Sequence, residues 1–169
     1  MKAICEIAEE NRLRVALCAP TGKAARKLAQ STQRKAKTIH RLLEPLPDHV
    51  NGGFNFTRGN ANPVEFDLVV VDEVSMVDVR LMFSLLAALP ARCRLLLVGD
   101  HNQIPSVGPG AVLRDLLAAK ESYPTATNVL TEIVRQAGPL AVNTTAILDG
   151  VVSPESSAVW GVERSEPGN

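Results

Sequence analysis

The segment Phe66-Asp67-Leu68-Val69-Val70-Val71-Asp72-Glu73 constrains the fold more than any other. A short apolar run, rich in β-branched residues, ends abruptly in two adjacent carboxylates. An unbroken run of this length fits a strand buried on both faces, the setting of a parallel sheet covered by helices. In open α/β sheets, ligands sit at the carboxyl ends of the strands. Asp72 and Glu73 therefore leave the sheet where chemistry is expected. In nucleotide hydrolases an acid here holds Mg²⁺ on the phosphates, and a neighbour can orient water. Alone, the same pair also fits an ordinary polar loop after a core strand.

The chain has 169 residues, 46% of them hydrophobic, which suits one well-formed core. Lys and Arg together number 18, as do Asp and Glu. This balance gives no case for nucleic acid from composition, so any basic surface must be local. Cys5, Cys18 and Cys93 are scattered and lack metal-ligand spacing, as expected of buried thiols in a reduced cytoplasmic setting. No apolar run approaches a membrane span. Glu6, Glu9 and Glu10 are wrong for a signal peptide.

Residues 1–10 read as a helix ending near Asn11, with Ile4, Ile7 and Ala8 on one face. Leu13 to Ala19 reads as a strand. Pro20-Thr21-Gly22-Lys23 then turns into a helix begun by Ala24-Ala25-Arg26-Lys27, with Thr21 as its N-cap. Gly22-Lys23 does not make a P-loop. That motif needs Gly five residues before Gly22 and Ser or Thr after Lys23, where this chain has Leu17 and Ala24. Leu17 belongs to the strand, so no loop is left to wrap a triphosphate. A helix start with Thr21 and Lys23 suits one isolated phosphate, such as a nucleic-acid backbone.

Arg34, Lys35 and Lys37 form a basic segment before a short helix capped by Thr38, with Ile39, Leu42 and Leu43 inward and His40 and Arg41 pointing elsewhere. These cations are either a solvated face or, with Lys23, Arg26 and Lys27, one patch along a nucleic-acid backbone. Pro45 and Pro47 end the helix, and Val50 to Phe56 looks like a hairpin around Asn51-Gly52-Gly53. Asp78 caps an extensively apolar helix, Val79 to Ala88, expected to pack on the sheet, with Met76 and Met82 in the core. Arg94 to Val98 is the next buried strand, ending in Gly99-Asp100. The loop His101 to Gly110 follows at the same sheet edge as Asp72. In it, Gln103 can report a phosphate or a water, or serve as a plain loop amide. A helix spans Ala111 to Ala119, a short strand is expected at Val129-Leu130 and a helix at 139–148. After Val151 the pattern is lost, and disorder is expected to Asn169.

Taken in order, these pieces resemble the RecD-type DNA helicases of superfamily one. Ala19-Pro20-Thr21-Gly22-Lys23-Ala24-Ala25 is similar to motif Ia, and Thr38 to Leu43 to the segment after it. Val71-Asp72-Glu73-Val74-Ser75-Met76-Val77-Asp78 resembles the Walker B motif, with Val74 where Ala is more usual. Val98 to Gly110 resembles motif III, and Arg135-Gln136-Ala137 motif IV. The resemblance implies a RecA-like P-loop NTPase domain: α/β, a mostly parallel sheet flanked by helices. It implies a first motor domain over residues 1–122, the start of a second over 123–150, and a tail over 151–169. The implied activity is ATP-driven movement on single-stranded DNA, 5′ to 3′, in repair and recombination, with ATP and Mg²⁺ as cofactors. Asp72 would hold Mg²⁺ and Glu73 would activate water. Asp100 and Gln103 would join the nucleotide site, with Gln103 sensing the γ-phosphate. Arg135 would act as an arginine finger. Pro20, Thr21, Lys23 and Lys37 would touch the DNA backbone, and His40, Gly108 and Gly110 would line the strand track. Implied partners are single-stranded DNA and nuclease or helicase subunits of a recombination complex, with no membrane.

The family's P-loop precedes the position of Met1, so this chain is expected to hold one wall of the ATP site and not to hydrolyse ATP alone. The family's P-loop strand is expected beside the strand ending at Asp72, which would leave an apolar edge open there. Two other readings share these motifs: a non-catalytic DNA-binding or assembly module, and the helicase portion of a conjugative relaxase.

Overall fold

The computed structural model describes residues 1–47, 54–119, 127, 128 and 130. The chain divides into two compact units, Met1–Thr125 and Ala126–Asn169. The elements below belong to the first. The expected strand at Val129-Leu130, the helix at 139–148 and Arg135 lie outside the described residues, apart from Leu130 itself.

Helix α1 (Lys2–Glu10) leads into strand β1 (Val15–Ala19), helix α2 (Gly22–Thr32) and strand β2 (Ala36–Thr38). Helix α3 (Ile39–Leu43) precedes an antiparallel pair, β3 (Pro45–Pro47) and β4 (Phe54–Phe56). Strand β5 (Leu68–Val71), a 3-10 turn (Val74–Met76), helix α4 (Val79–Ala88), strand β6 (Arg94–Leu97) and helix α5 (Val112–Ala118) complete it. The main sheet is parallel, in the order β2-β1-β5-β6.

The apolar run is strand β5, and it is buried as its composition demands. Val69, Val70 and Val71 are all 0% exposed. Alternation divides them between two cores. Val69 and Val71, with Ala16 and Cys18 of β1, meet Ile39, Leu42 and Leu43 of α3 and Met82, Leu85 and Ala88 of α4. Leu68 and Val70, with Leu17, meet Cys5 and Ala8 of α1 and Leu28 of α2 on the opposite face. Burial pushes the Cys18 thiol up to about 12, as expected of an inert core cysteine.

Polar groups fix the start of the sheet. The Arg14 amide and guanidinium both donate to Asp67, at 2.8 Å and 3.1 Å, and the Arg94 amide donates to the Asp67 carbonyl. Three side chains cap the helices as their positions suggest. Thr21 accepts from the Ala24 amide, Thr38 from Arg41 and Asp78 from Leu81.

Several expectations are corrected. Strand β5 has no open side, because β1 and β6 pair with it on either flank. The edge strands of this sheet among the described residues are β2 and β6, and β6, the edge beyond β5, has side chains that are only partly buried. The hairpin begins at Pro45 rather than Val50. Proline is tolerated in it because an edge strand need not donate on both sides. Met76 is 44% exposed, outside the core. Helix α4 buries one face only; Val79, Phe83 and Leu86 stand in solvent on another. Arg34 is not free for a basic patch. It makes a two-pronged pair with Glu9 at 2.6 Å, tying α1 to the segment before β2 and holding the Glu9 carboxyl below its usual range.

Two outcomes follow from this packing. Leu85→Ala, at a site with 0% exposure, lowers unfolding free energy by about 2–5 kcal/mol in a denaturant titration. The unpaired β6 edge makes the chain associate as micromolar concentration is raised. A strictly monomeric sedimentation profile with a cooperative melt would contradict this.

Candidate nucleotide and DNA site

The carboxyl ends of β1, β5 and β6 lie side by side, because the sheet is parallel and in register there: Cys18 is opposite Val71, and Val71 opposite Leu97. The backbone just past β5 is held from both neighbours. The Asp72 amide donates to the Cys18 carbonyl at 2.9 Å, and the Val74 amide to the Val98 carbonyl at 3.0 Å. Between these anchors Glu73 adopts φ 57°, ψ 43°, a left-handed conformation that disfavours a side chain. Asp72 and Glu73 are half-buried, at the mouth of the sheet.

The loop after β6 is fastened onto the same segment. The Ser106 amide donates to the Ser75 carbonyl at 3.1 Å, and the Val79 amide to the Pro109 carbonyl at 3.1 Å. Asp100 turns the loop by accepting from the Asn102 amide through its side chain and from the Gln103 amide through its carbonyl. Gly99 sits where a Cβ would lie 3.1 Å from the Val74 nitrogen, 3.2 Å from the Ser75 nitrogen and 3.0 Å from the Leu113 side chain. Asp72, Glu73, Asp100 and Gln103 are thus gathered at one edge by backbone contacts. Gly108 lies against the Asp78 carboxylate, and Gly110, at φ 89°, lies against Val79. Both glycines therefore have a packing reason for lacking a side chain, in the fastening of this loop to the start of α4.

The residues expected from the sequence to touch DNA lie on neighbouring elements. Pro20 and Thr21 follow β1, and Lys23 is exposed on the first turn of α2. Lys37 is exposed on β2, opposite Cys18. His40 is half-buried, its ring 5.8 Å from that of Phe56 on the hairpin.

A single carboxylate at a strand end suits a cation that keeps most of its waters and takes its remaining oxygens from phosphate, as Mg²⁺ does. Among the described residues, no three His, Cys, Asp or Glu side chains cluster as a self-sufficient metal site would require. Asp72 thus fits Mg²⁺ delivered with a nucleotide.

Residues 1–109 match the model of the AAA domain family. The chain belongs to that family. It is 44% identical over 163 residues to the ATP-dependent RecD2 DNA helicase of Deinococcus radiodurans, covering 96% of this chain and 21% of that protein. It is 34% identical over 176 residues to the RecBCD enzyme subunit RecD of Mycobacterium tuberculosis, covering 95% of this chain and 29% of that subunit. The chain therefore spans less than a third of the length of these relatives. Among solved structures, a Pif1 helicase studied in DNA unwinding at forked duplex DNA superposes with a TM-score of 0.54 at 18% identity, over 92% of this chain and 43% of its own. Bacteroides Pif1 bound to single-stranded DNA gives 0.51 at 21% identity, over 92% and 41%. The RecD-type resemblance and the RecA-like α/β fold are both borne out. No helix of the described residues is long and apolar enough to cross a membrane.

The residues that sequence reasoning passed over are Ser75 and Gly99. Gly99 had a signal in its place, directly between a buried strand and an acid. Ser75 had a weaker one, a small hydroxyl in an otherwise apolar Val-Ser-Met-Val stretch.

The close approach at Gly99 makes Gly99→Ala destabilising by about 1–3 kcal/mol, because two of the atoms it meets are backbone and cannot swing aside. At Glu73 the usual order of alanine and glycine reverses. Glu73→Gly is more stable than Glu73→Ala by about 1 kcal/mol, read from paired denaturant titrations.

Proposed function

We propose that this chain is the nucleotide-hydrolysing and strand-contacting wall of an ATP-dependent DNA helicase that moves 5′ to 3′ along single-stranded DNA in recombination or repair. The observation that carries the reading is the shared sheet edge. The segments that carry Asp72-Glu73 and the Asp100–Gln103 turn are joined by backbone hydrogen bonds just beside them, Val74 to Val98 and Ser106 to Ser75, and motif Ia follows the adjacent strand. The names of the Deinococcus and Mycobacterium relatives support the same class.

In this reading Asp72 would hold Mg²⁺. When bound, Mg²⁺ and ATP supply a polarised terminal phosphoryl group open to attack by water. Glu73 accepts a proton from that water, its direction fixed by the anchored backbone on either side. Gln103, neutral and able both to donate and to accept, distinguishes the nucleotide state from a loop that is itself fastened to the Asp72 segment. Arg135 is assigned the charge-stabilising role, and the segment from residue 123 the start of the second motor domain. Thr21 orders the first turn of α2 by its cap, leaving Lys23 to meet a backbone phosphate. Lys37 extends that contact along the strand. Subunits of a recombination complex are the proposed partners in the cytoplasm.

The sequence contains no P-loop pattern around Gly22-Lys23, so the chain supplies one side of the nucleotide site. Titration with labelled single-stranded DNA is expected to show salt-dependent binding. Lys23→Ala and Lys37→Ala each weaken it uniformly across sequences and reduce the salt slope by about one. Unchanged slopes in both variants would remove the patch assignment. The isolated chain is expected to show no DNA-stimulated ATP turnover. Robust turnover abolished by Glu73→Gln would overturn the one-wall reading.

A further inference from the structure

Ser75 is 8% exposed, and its hydroxyl oxygen is buried without a hydrogen-bond partner among the described residues. A buried, unsatisfied hydroxyl is costly, so one that persists calls for an explanation. This one borders a narrow cleft shared with His101, Gln103 and Arg114, of about 10 Å³. That is about the smallest space able to take a single water molecule. The loop that forms the other side of the cleft is already tied to the Ser75 carbonyl through the Ser106 amide. Its turn is tied at Asp100 through the Gln103 amide. Residue 103 therefore sits between two fixed points, on the wall of the cleft that the unpaired hydroxyl borders. The Gln103 amide carries both a donor and an acceptor, so it can match a water held by Ser75 in either orientation, and its backbone is held close by at Asp100.

We propose that Ser75 is a positioning residue for Gln103: its hydroxyl, through one water held in this cleft, hydrogen-bonds the Gln103 side chain and sets its direction. The carboxylate segment and the glutamine loop are then joined by side chains as well as by backbone. What Gln103 is positioned for rests on the function proposed above; the coupling itself does not.

The test uses the whole chain in three variants, Ser75→Ala, Gln103→Ala and the double change, with melting curves and the side-chain amide resonances of Gln103. Ser75→Ala is expected to lower Tm by about 3 °C and to move the Gln103 side-chain amide pair. In the Gln103→Ala background the same serine change is expected to cost markedly less. A Ser75→Ala variant that melts at or above the parent, with the Gln103 amide unmoved, overturns the proposal. So does an undiminished serine cost in the Gln103→Ala background, which would place the partner at His101 or Arg114. Adding ATP and Mg²⁺ separates the two readings. The coupling is read without nucleotide: a Gln103 amide that Ser75→Ala shifts but ATP and Mg²⁺ leave in place keeps the coupling standing independently of the nucleotide role.

Discussion

The structure depends on a strand that can exist only when covered on both faces. Strand β5 leaves Val69, Val70 and Val71 no solvent at all, and a parallel sheet of such strands must carry helices on each side. Alternation sends Val69 and Val71 to α3 and α4 and Val70 to α1 and α2. The two cores are thus built from the same few residues read from opposite sides. Because β5 is flanked by β1 and β6, its position is fixed laterally as well. The carboxylates that follow it emerge at a place with little freedom to shift.

That rigidity continues past the end of the strand. Amides at Asp72 and Val74 reach the carbonyls of Cys18 and Val98, and Gly99 lets the end of β6 close onto the backbone at Val74 and Ser75. Glu73 accepts a left-handed backbone in the middle of this junction. Other left-handed residues, Gln33 and Glu44, close helices at their C-termini, where that conformation is common. Glu73 has no such excuse. Its conformation lies between two backbone anchors, Asp72 to Cys18 and Val74 to Val98, and stores local strain there.

Much of this was legible in the residues. The apolar run named a doubly covered strand, and Thr21, Thr38 and Asp78 announced their helices by capping chemistry alone. The candidate acids and Gln103 followed from their place after strands. Strand order was not legible, because hydrogen-bonding partners in a parallel sheet are set by crossovers rather than by any local pattern. This is why an open edge was expected beside β5, where the sheet instead continues to β6. Pairings between distant charges were equally silent. Nothing near Arg34 in the sequence points to Glu9, so a cation that joins two elements read as part of a free basic surface. The outward face of α4 was hidden by the opposite problem. Val79, Phe83 and Leu86 are as apolar as the residues that do face the core, and hydropathy cannot separate them.

The small hairpin has a property that its length conceals. The Thr57 amide donates to the Glu44 carbonyl, so the pair two residues further on, Leu46 and Asn55, also faces inward for hydrogen bonding. The amides aimed away from β4 would then be those of Pro45 and Pro47, and neither has a hydrogen to give. The outer rim of β3 is a row of acceptors without donors. A passing extended chain finds no partner there for its carbonyls, so the hairpin closes off its own growth on that side, whereas β6 has no such protection.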